Sequence, residues 1–232
     1  MKKQILIVGL GRLGMALADT LFDLGHDVLA IDTDEKKVQE AAGHITHAVT
    51  ADATSEAVLR ELGAGNFDMA IVTTGAEVEA SVLATILLKK LGVPYIIARA
   101  NSELHGTILD RIGADKVVYP EKESGLRIAR EIEMEGITDF IPLGEKYGIT
   151  KIEAPGGSAG EKLGDLGFSA RGRELTVLLI QRPPAGGHPE EALVSPDVNE
   201  TVRPGDVLVI AGDITRLEQM LLEFKKNGAR SK

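Results

Sequence analysis

Four short stretches are apolar at nearly every position: Ile5–Val8, Val28–Ile31, Met69–Thr73 and Tyr95–Arg99. Unbroken apolar runs of this length read as strands buried on both faces. Between them, apolar residues recur at helical spacing over Met15–Leu24, Glu35–Ala42, Ser55–Leu62, Glu77–Leu91 and Glu103–Ile112. Gly25, Gly63 and Gly92 stand where three of these helices must stop. Two shorter strands are expected at Ala48–Ala51 and Lys116–Tyr119, followed by a helix over Glu121–Glu135. Strands that alternate with helices imply a parallel sheet with both faces covered, because right-handed crossovers place successive helices on the two sides.

From about Thr138 the texture changes. Gly and Pro become frequent, and strands are expected at Gly148–Glu153, Glu174–Gln181 and Val207–Ala211. The stretch "RPPAGGHPEEALVSPDV" between the last two reads as an exposed loop and turn. A Pro-Gly-Asp turn, a strand and an amphipathic helix close the chain. The expected organisation is therefore an α/β domain over residues 1–137, a small α+β lobe over 138–225 and a tail over 226–232. No internal repeat of the first domain is evident.

Composition narrows the function. The net charge is -9, which argues against a nucleic-acid surface, where basic residues supply most of the affinity. There is no cysteine, hence no thiolate nucleophile and no Cys-ligated metal. No segment has the ~20 apolar residues of a membrane-spanning helix. A cytosolic, unprocessed protein is expected, with any membrane role exercised through a partner.

The chemistry-bearing motif is Gly9-x-Gly11-x-x-Gly14, directly after the first strand and opening the first helix. Gly9 lets the chain turn out of the strand, Gly11 lets backbone approach a pyrophosphate, and Gly14 lets helix and strand pack closely. The helix N-terminus then offers free N–H groups to phosphates. Asp32 ends the second strand, where a carboxylate can accept from both ribose hydroxyls and would repel a 2′-phosphate. This is a Rossmann-like, doubly wound arrangement. Arg12, inside the loop, suits a ligand with a terminal phosphate. Asp52-Ala53-Thr54 follows the third strand and could meet an adenine edge, or could start the next helix. Thr73-Thr74-Gly75 ends the fourth strand at the same sheet edge.

Residues for catalysis are few. A dehydrogenase needs an acid or base beside the nicotinamide. His26 and His188 fall in turns, His105 begins a helix, and His44 with His47 reads as a solvated pair rather than a metal site. The acids Glu190 and Glu191 read as loop solvation. The chain is accordingly expected not to be an enzyme, with an NAD-dependent oxidoreductase or an NAD(H)-sensing regulator as the alternative.

Taken together, "GLGRLG", "GHDVLAID", "ADAT", "ATILLKKLGVPYIIARA", "LDRIGADKVVYPEKESGLRIA" and "VRPGDVLVIAG" resemble the cytosolic regulatory subunits of Ktr/Trk-type potassium uptake systems. These carry RCK domains, and a single copy is similar to the Ktr-type gating subunit. The resemblance implies ATP or ADP on the glycine loop, with NAD(H) in relatives. It further implies a homo-oligomer, dimers closing into an octameric ring under a membrane potassium translocator at the inner face of the membrane. On this resemblance Gly9, Gly11 and Leu13 line the phosphate loop, and Arg12 contacts the terminal phosphate. Asp32 takes the ribose, Asp52 and Ala53 meet the adenine, and Thr74 and Gly75 flank the phosphates. Arg99 falls where the family places a basic residue near the γ-phosphate. Glu121 falls where it places an acid that holds a divalent cation between subunits. Ala51 stands where the family commonly has Gly, and Arg99 where Ktr-type subunits often have Lys. In some relatives the second lobe binds cyclic di-AMP.

Overall fold

The structure is a computed structural model and describes residues 2–74, 77–133, 137–144, 146–154, 158–168, 175–184 and 191–228. The chain divides into two compact units, Met1–Lys122 and Glu123–Lys232.

In the first unit the elements alternate: β1 (Gln4–Val8), α1 (Arg12–Asp23), β2 (Asp27–Asp32), α2 (Glu35–Ala41), β3 (His47–Thr50), α3 (Glu56–Glu61), a 3-10 turn (Ala64–Asn66), β4 (Met69–Val72), α4 (Val78–Lys90), β5 (Ile96–Arg99), α5 (Glu103–Arg111) and β6 (Lys116–Val118). The strands form one sheet in the order β3-β2-β1-β4-β5-β6, and every pairing is parallel. This is the doubly wound arrangement expected from the sequence, with the chain reversing direction across the sheet between β1 and β4.

The all-apolar character of β1 has a direct cause. Ile5, Leu6, Ile7 and Val8 are each at most 2% exposed. Leu6 and Val8 join the core that includes Leu88, Ile96 and Leu109, while Ile5 and Ile7 join the core that includes Ala18 and Ala30. Successive side chains thus feed the two faces in turn. Truncating one, as in Leu6→Ala, would cost about 2–5 kcal/mol.

Helix α6 (Pro120–Glu133) begins in the first unit and continues into the second. The second unit then holds β7 (Ile137–Pro142), β8 (Tyr147–Glu153), β9 (Leu175–Arg182), β10 (Glu191–Val194), β11 (Val207–Asp213) and α7 (Ile214–Gly228). Its sheet runs β10-β9-β11-β8-β7 and is antiparallel throughout. Phe140, Ile152, Ile180, Leu208 and Leu217 lie at its core.

Two strands here correct the sequence reading. β7 was not expected, and β10 lies inside the stretch read as loop and turn. Glu191 is accordingly not loop solvation: it pairs with Arg182 across the ladder, its carboxylate 3.9 Å from the guanidinium. Residues 185–190, with Glu190 and His188, lie outside the described residues. Arg182 is itself buried, donating to Glu200 at 2.8 Å and to the Thr201 carbonyl at 2.9 Å, beside Asp206 at 3.3 Å. The expected Pro-Gly-Asp turn is present, with Gly205 at φ +82 and the Arg203 amide donating to Asp206. Helix α7 extends through Gly228, so residues 226–228 of the expected tail are helical, and 229–232 lie outside the described residues.

Candidate functional site

A cleft of about 430 Å³ opens along the carboxyl edge of the parallel sheet. Gly9, Gly11, Asp32, Asp52, Ala53, Thr74 and Arg99 all line it. So do Thr33, Lys37, Thr54, Thr73 and Glu77. These residues end or follow five different strands, so the sheet order sets their order in space. From one side to the other run Asp52 after β3, Asp32 ending β2, Gly9 and Gly11 after β1, Thr74 after β4, and Arg99 ending β5.

The glycines have distinct stereochemical causes. Gly9 sits at φ +98, a conformation that side-chained residues rarely adopt. A Cβ on Gly14 would lie 1.9 Å from the Gly9 carbonyl oxygen, so this position admits helix against loop only without a side chain. A Cβ on Gly11 would meet nothing within 4 Å. Gly11 is instead the N-cap of α1, with no side-chain cap, and the first helical bond runs from the Met15 amide to its carbonyl. The amides of Arg12, Leu13 and Gly14 precede that bond and have no partner within the helix. Thr73 fastens this turn to β4, its hydroxyl donating to the Gly9 carbonyl at 2.7 Å. The neighbouring Thr74 hydroxyl is buried against the cleft and has no hydrogen-bond partner among the described residues. An uncapped helix start, open space above Gly11 and an orphaned hydroxyl fit a polar, anionic ligand.

Asp32 does more than face the cleft. Its Oδ2 accepts from the Leu10 amide at 2.6 Å and its Oδ1 from the Asp34 amide at 2.8 Å, so it pins the glycine loop to the start of α2. Lys37 Nζ lies 3.4 Å from Oδ2. Burial opposes ionisation, but the two amides and the ammonium outweigh it, and the carboxyl is held below its ordinary pKa.

Asp52 does not cap α3. It accepts from the Thr54 hydroxyl at 2.7 Å and the Thr54 amide at 2.8 Å, a local turn that lowers its pKa, while Ser55 is the N-cap.

At the other end Arg99 bridges three elements. Its guanidinium donates to Glu121 at 2.6 Å and to the Thr73 carbonyl at 3.3 Å. Glu121 lies in the first turn of α6, where the helix-start backbone, Arg99 and Arg12 keep its carboxyl ionised to lower pH. Arg12, Leu13 and Glu121 stand outside the cleft lining. Arg12 is exposed at the first position of α1, Leu13 half-buried beside it, and Glu121 abuts the cleft through Arg99. Gly75 lies outside the described residues.

Lys37, Thr33 and Glu77 were not among the expected site residues. Lys37 sits in the first turn of α2, five residues past Asp32, where a charge ordinarily means solvent. His44 and His47 are exposed, and neither lines the cleft. No cluster of three metal-ligating side chains occurs among the described residues.

The TrkA-N domain model matches residues 5–120 and the TrkA-C domain model residues 151–225. Ktr system potassium uptake protein C of Bacillus subtilis (strain 168) is 38% identical over 228 residues, covering 97% of this chain and 100% of the relative. The chain belongs to the TrkA-N/TrkA-C family of potassium uptake proteins. A second member of this family, Ktr system potassium uptake protein A of the same organism, is 38% identical over 219 residues, 93% of this chain and 96% of that one. Among solved structures, "GsuK channel bound to NAD" matches the fold with a TM-score of 0.64 at 19% identity, over 95% of this chain. The chain spans 40% of the length of that channel chain. The Rossmann-like unit followed by an antiparallel lobe is thus shared with the family, and the family's named relatives are uptake proteins rather than enzymes, as the scarcity of catalytic residues implied. No helix among the described residues is long and apolar enough to cross a membrane.

Proposed function

We propose that the chain is a cytoplasmic, nucleotide-responsive regulatory subunit that gates a membrane potassium translocator of the Ktr type. The observation that carries this reading is the order of groups along the sheet edge. An acidic turn, a ribose-type acid, a glycine turn with free amides, an orphaned hydroxyl and an arginine succeed one another in the order base, sugar, first phosphates, last phosphate. ATP or ADP is the ligand that uses the whole row. Asp52 and Ala53 face the base, Asp32 the ribose, and Gly9, Gly11 and the amides of α1 the inner phosphates. Thr74, Arg99 and Arg12 serve the outer ones, and Leu13 lines the loop.

A ligand moves a conformational equilibrium only by its differential affinity for the two states. Asp32 and the glycines meet every adenosine ligand alike. Arg12 and Arg99 meet only the outermost phosphate, and Glu121 responds to it through its pair with Arg99. A phosphate reaching Arg99 competes with Glu121 for the guanidinium. The freed carboxylate stands at the start of α6, the helix that carries the chain into the second unit, and is available to a divalent cation. Copies assembled in a ring would sum these local changes into one opening force on the translocator. An NAD(H)-sensing chain is the second reading: the channel that shares the fold was solved bound to NAD, and Asp32 serves either ligand.

The test is potassium uptake into vesicles holding a Ktr-type translocator with the full chain added. Faster uptake with ATP than with ADP is expected. Equal rates with ATP, ADP and no nucleotide reject the proposal.

A further inference from the structure

Lys37 lines the cleft without a task in this reading, and it makes the weakest contact at the ribose acid. The three donors to Asp32 differ in kind. The Leu10 and Asp34 amides are backbone, fixed by the glycine loop and by the start of α2. Lys37 reaches the same carboxylate on a flexible stem that is 42% exposed, and at 3.4 Å the contact is longer than a strong charged hydrogen bond of about 2.7–2.9 Å. Helix physics does not place it there, because a cation in a first turn opposes the helix dipole.

A carboxylate has about four acceptor positions, two on each oxygen. On Asp32, Oδ2 is filled by the Leu10 amide and Lys37, whereas Oδ1 holds only the Asp34 amide among the described residues. One position is open. A ribose with two neighbouring hydroxyls needs two.

We infer that Lys37 is an internal competitor at the ribose subsite: its ammonium occupies the acceptor position on Asp32 Oδ2 that the second ribose hydroxyl must take, and it thereby sets how strongly the cleft distinguishes ribose from 2′-deoxyribose. This rests on the nucleotide reading above. A 2′-deoxy ligand uses the open Oδ1 position and leaves the ion pair intact. A ribonucleotide gains a second bond only by displacing Lys37. The lysine therefore weakens ribonucleotide binding selectively.

The experiment is calorimetric titration of the full chain with ADP and with 2′-deoxy-ADP, in the native protein, Lys37→Met and Lys37→Arg. Any general attraction between Lys37 and the phosphates cancels in the ratio of the two dissociation constants. In Lys37→Met the preference for ADP over the deoxy ligand should rise about two- to fivefold, the worth of a long ion pair whose lysine is open to water. Lys37→Arg, which keeps the charge, should stay close to the native ratio. If Lys37→Met binds ADP with an unchanged or smaller preference, the lysine is no competitor, while the nucleotide function stands. If the native chain binds neither ligand, the nucleotide reading itself falls, and this inference with it.

Discussion

The guanidinium of Arg99, at the end of β5, is held 2.6 Å from the carboxylate of Glu121, in the first turn of α6. The two side chains differ in setting: Arg99 is 23% exposed and Glu121 64%. The pair joins the cleft wall to the helix that leaves the first unit. A pair this open to water is weak enough to exchange partners when a phosphate arrives.

Glu121→Gln removes the competitor for Arg99 and the proposed cation ligand together. ATP affinity without divalent cation should rise by up to about fivefold, the ceiling for an exposed pair. The dependence of ATP binding on added Mg²⁺ should disappear. Calorimetry with and without the cation reads both effects; unchanged affinity with undiminished cation dependence removes Glu121 from the role.

Arg12→Ala should discriminate between phosphate counts. A charge-assisted bond to the last phosphate is worth about 1.5–3 kcal/mol, so ATP should weaken by roughly tenfold or more. ADP should change by less than about threefold. Equal losses for the two nucleotides would place Arg12 elsewhere.

The glycines separate stability from binding. Gly14→Ala drives a Cβ to within 1.9 Å of the Gly9 carbonyl oxygen and should cost about 1–3 kcal/mol, read as a lower thermal midpoint. Gly11→Ala meets no neighbour within 4 Å and should cost less, about 0.5–1 kcal/mol for the poorer N-cap, yet lose nucleotide affinity. Comparable melting for both variants would contradict the packing account.

His105 provides a pH signature independent of ligand. It is 1% exposed, its Nδ1 lies 3.1 Å from Asn101 Oδ1, and its Nε2 has no partner among the described residues. Burial disfavours the imidazolium and lowers its pKa. The unfolded chain therefore takes up the proton first, near pH 6.5. This contribution to stability is complete above about 6.5 and is lost as pH falls from there toward the lower folded-state pKa. Urea midpoints between pH 5 and 8 should decline on the acid side, and His105→Leu should flatten that decline whatever its effect on the plateau.

What could be read from the residues follows from how strongly each is determined locally. β1 was legible because burial on both faces forces an unbroken apolar run, and Gly9 and Gly14 because a left-handed turn and a 1.9 Å approach admit no other residue. β10 was not, because Glu191–Val194 is an exposed edge strand whose pairing to β9 is set by a distant partner, and its flanking Pro and Gly point to a loop. The buried Arg182 with Glu200 and Asp206 has the same origin: residues far apart in sequence meet only once the antiparallel sheet closes. At the cleft, residues that end strands were legible, since a parallel sheet brings its carboxyl ends to one edge. Lys37 and Glu77 sit within or beside helices, where charge usually means solvent, and only the folded arrangement turns them toward the cleft.

The central claim is that the carboxyl edge of the first sheet holds an adenosine nucleotide through Asp32. Titrating the full chain with ADP in a calorimeter, beside Asp32→Ala, tests it most directly. The account predicts saturable binding to the native chain, one nucleotide per cleft, and its loss in the variant at a pH where the carboxylate is ionised. Binding of equal strength in Asp32→Ala, or no heat from the native chain, would contradict it.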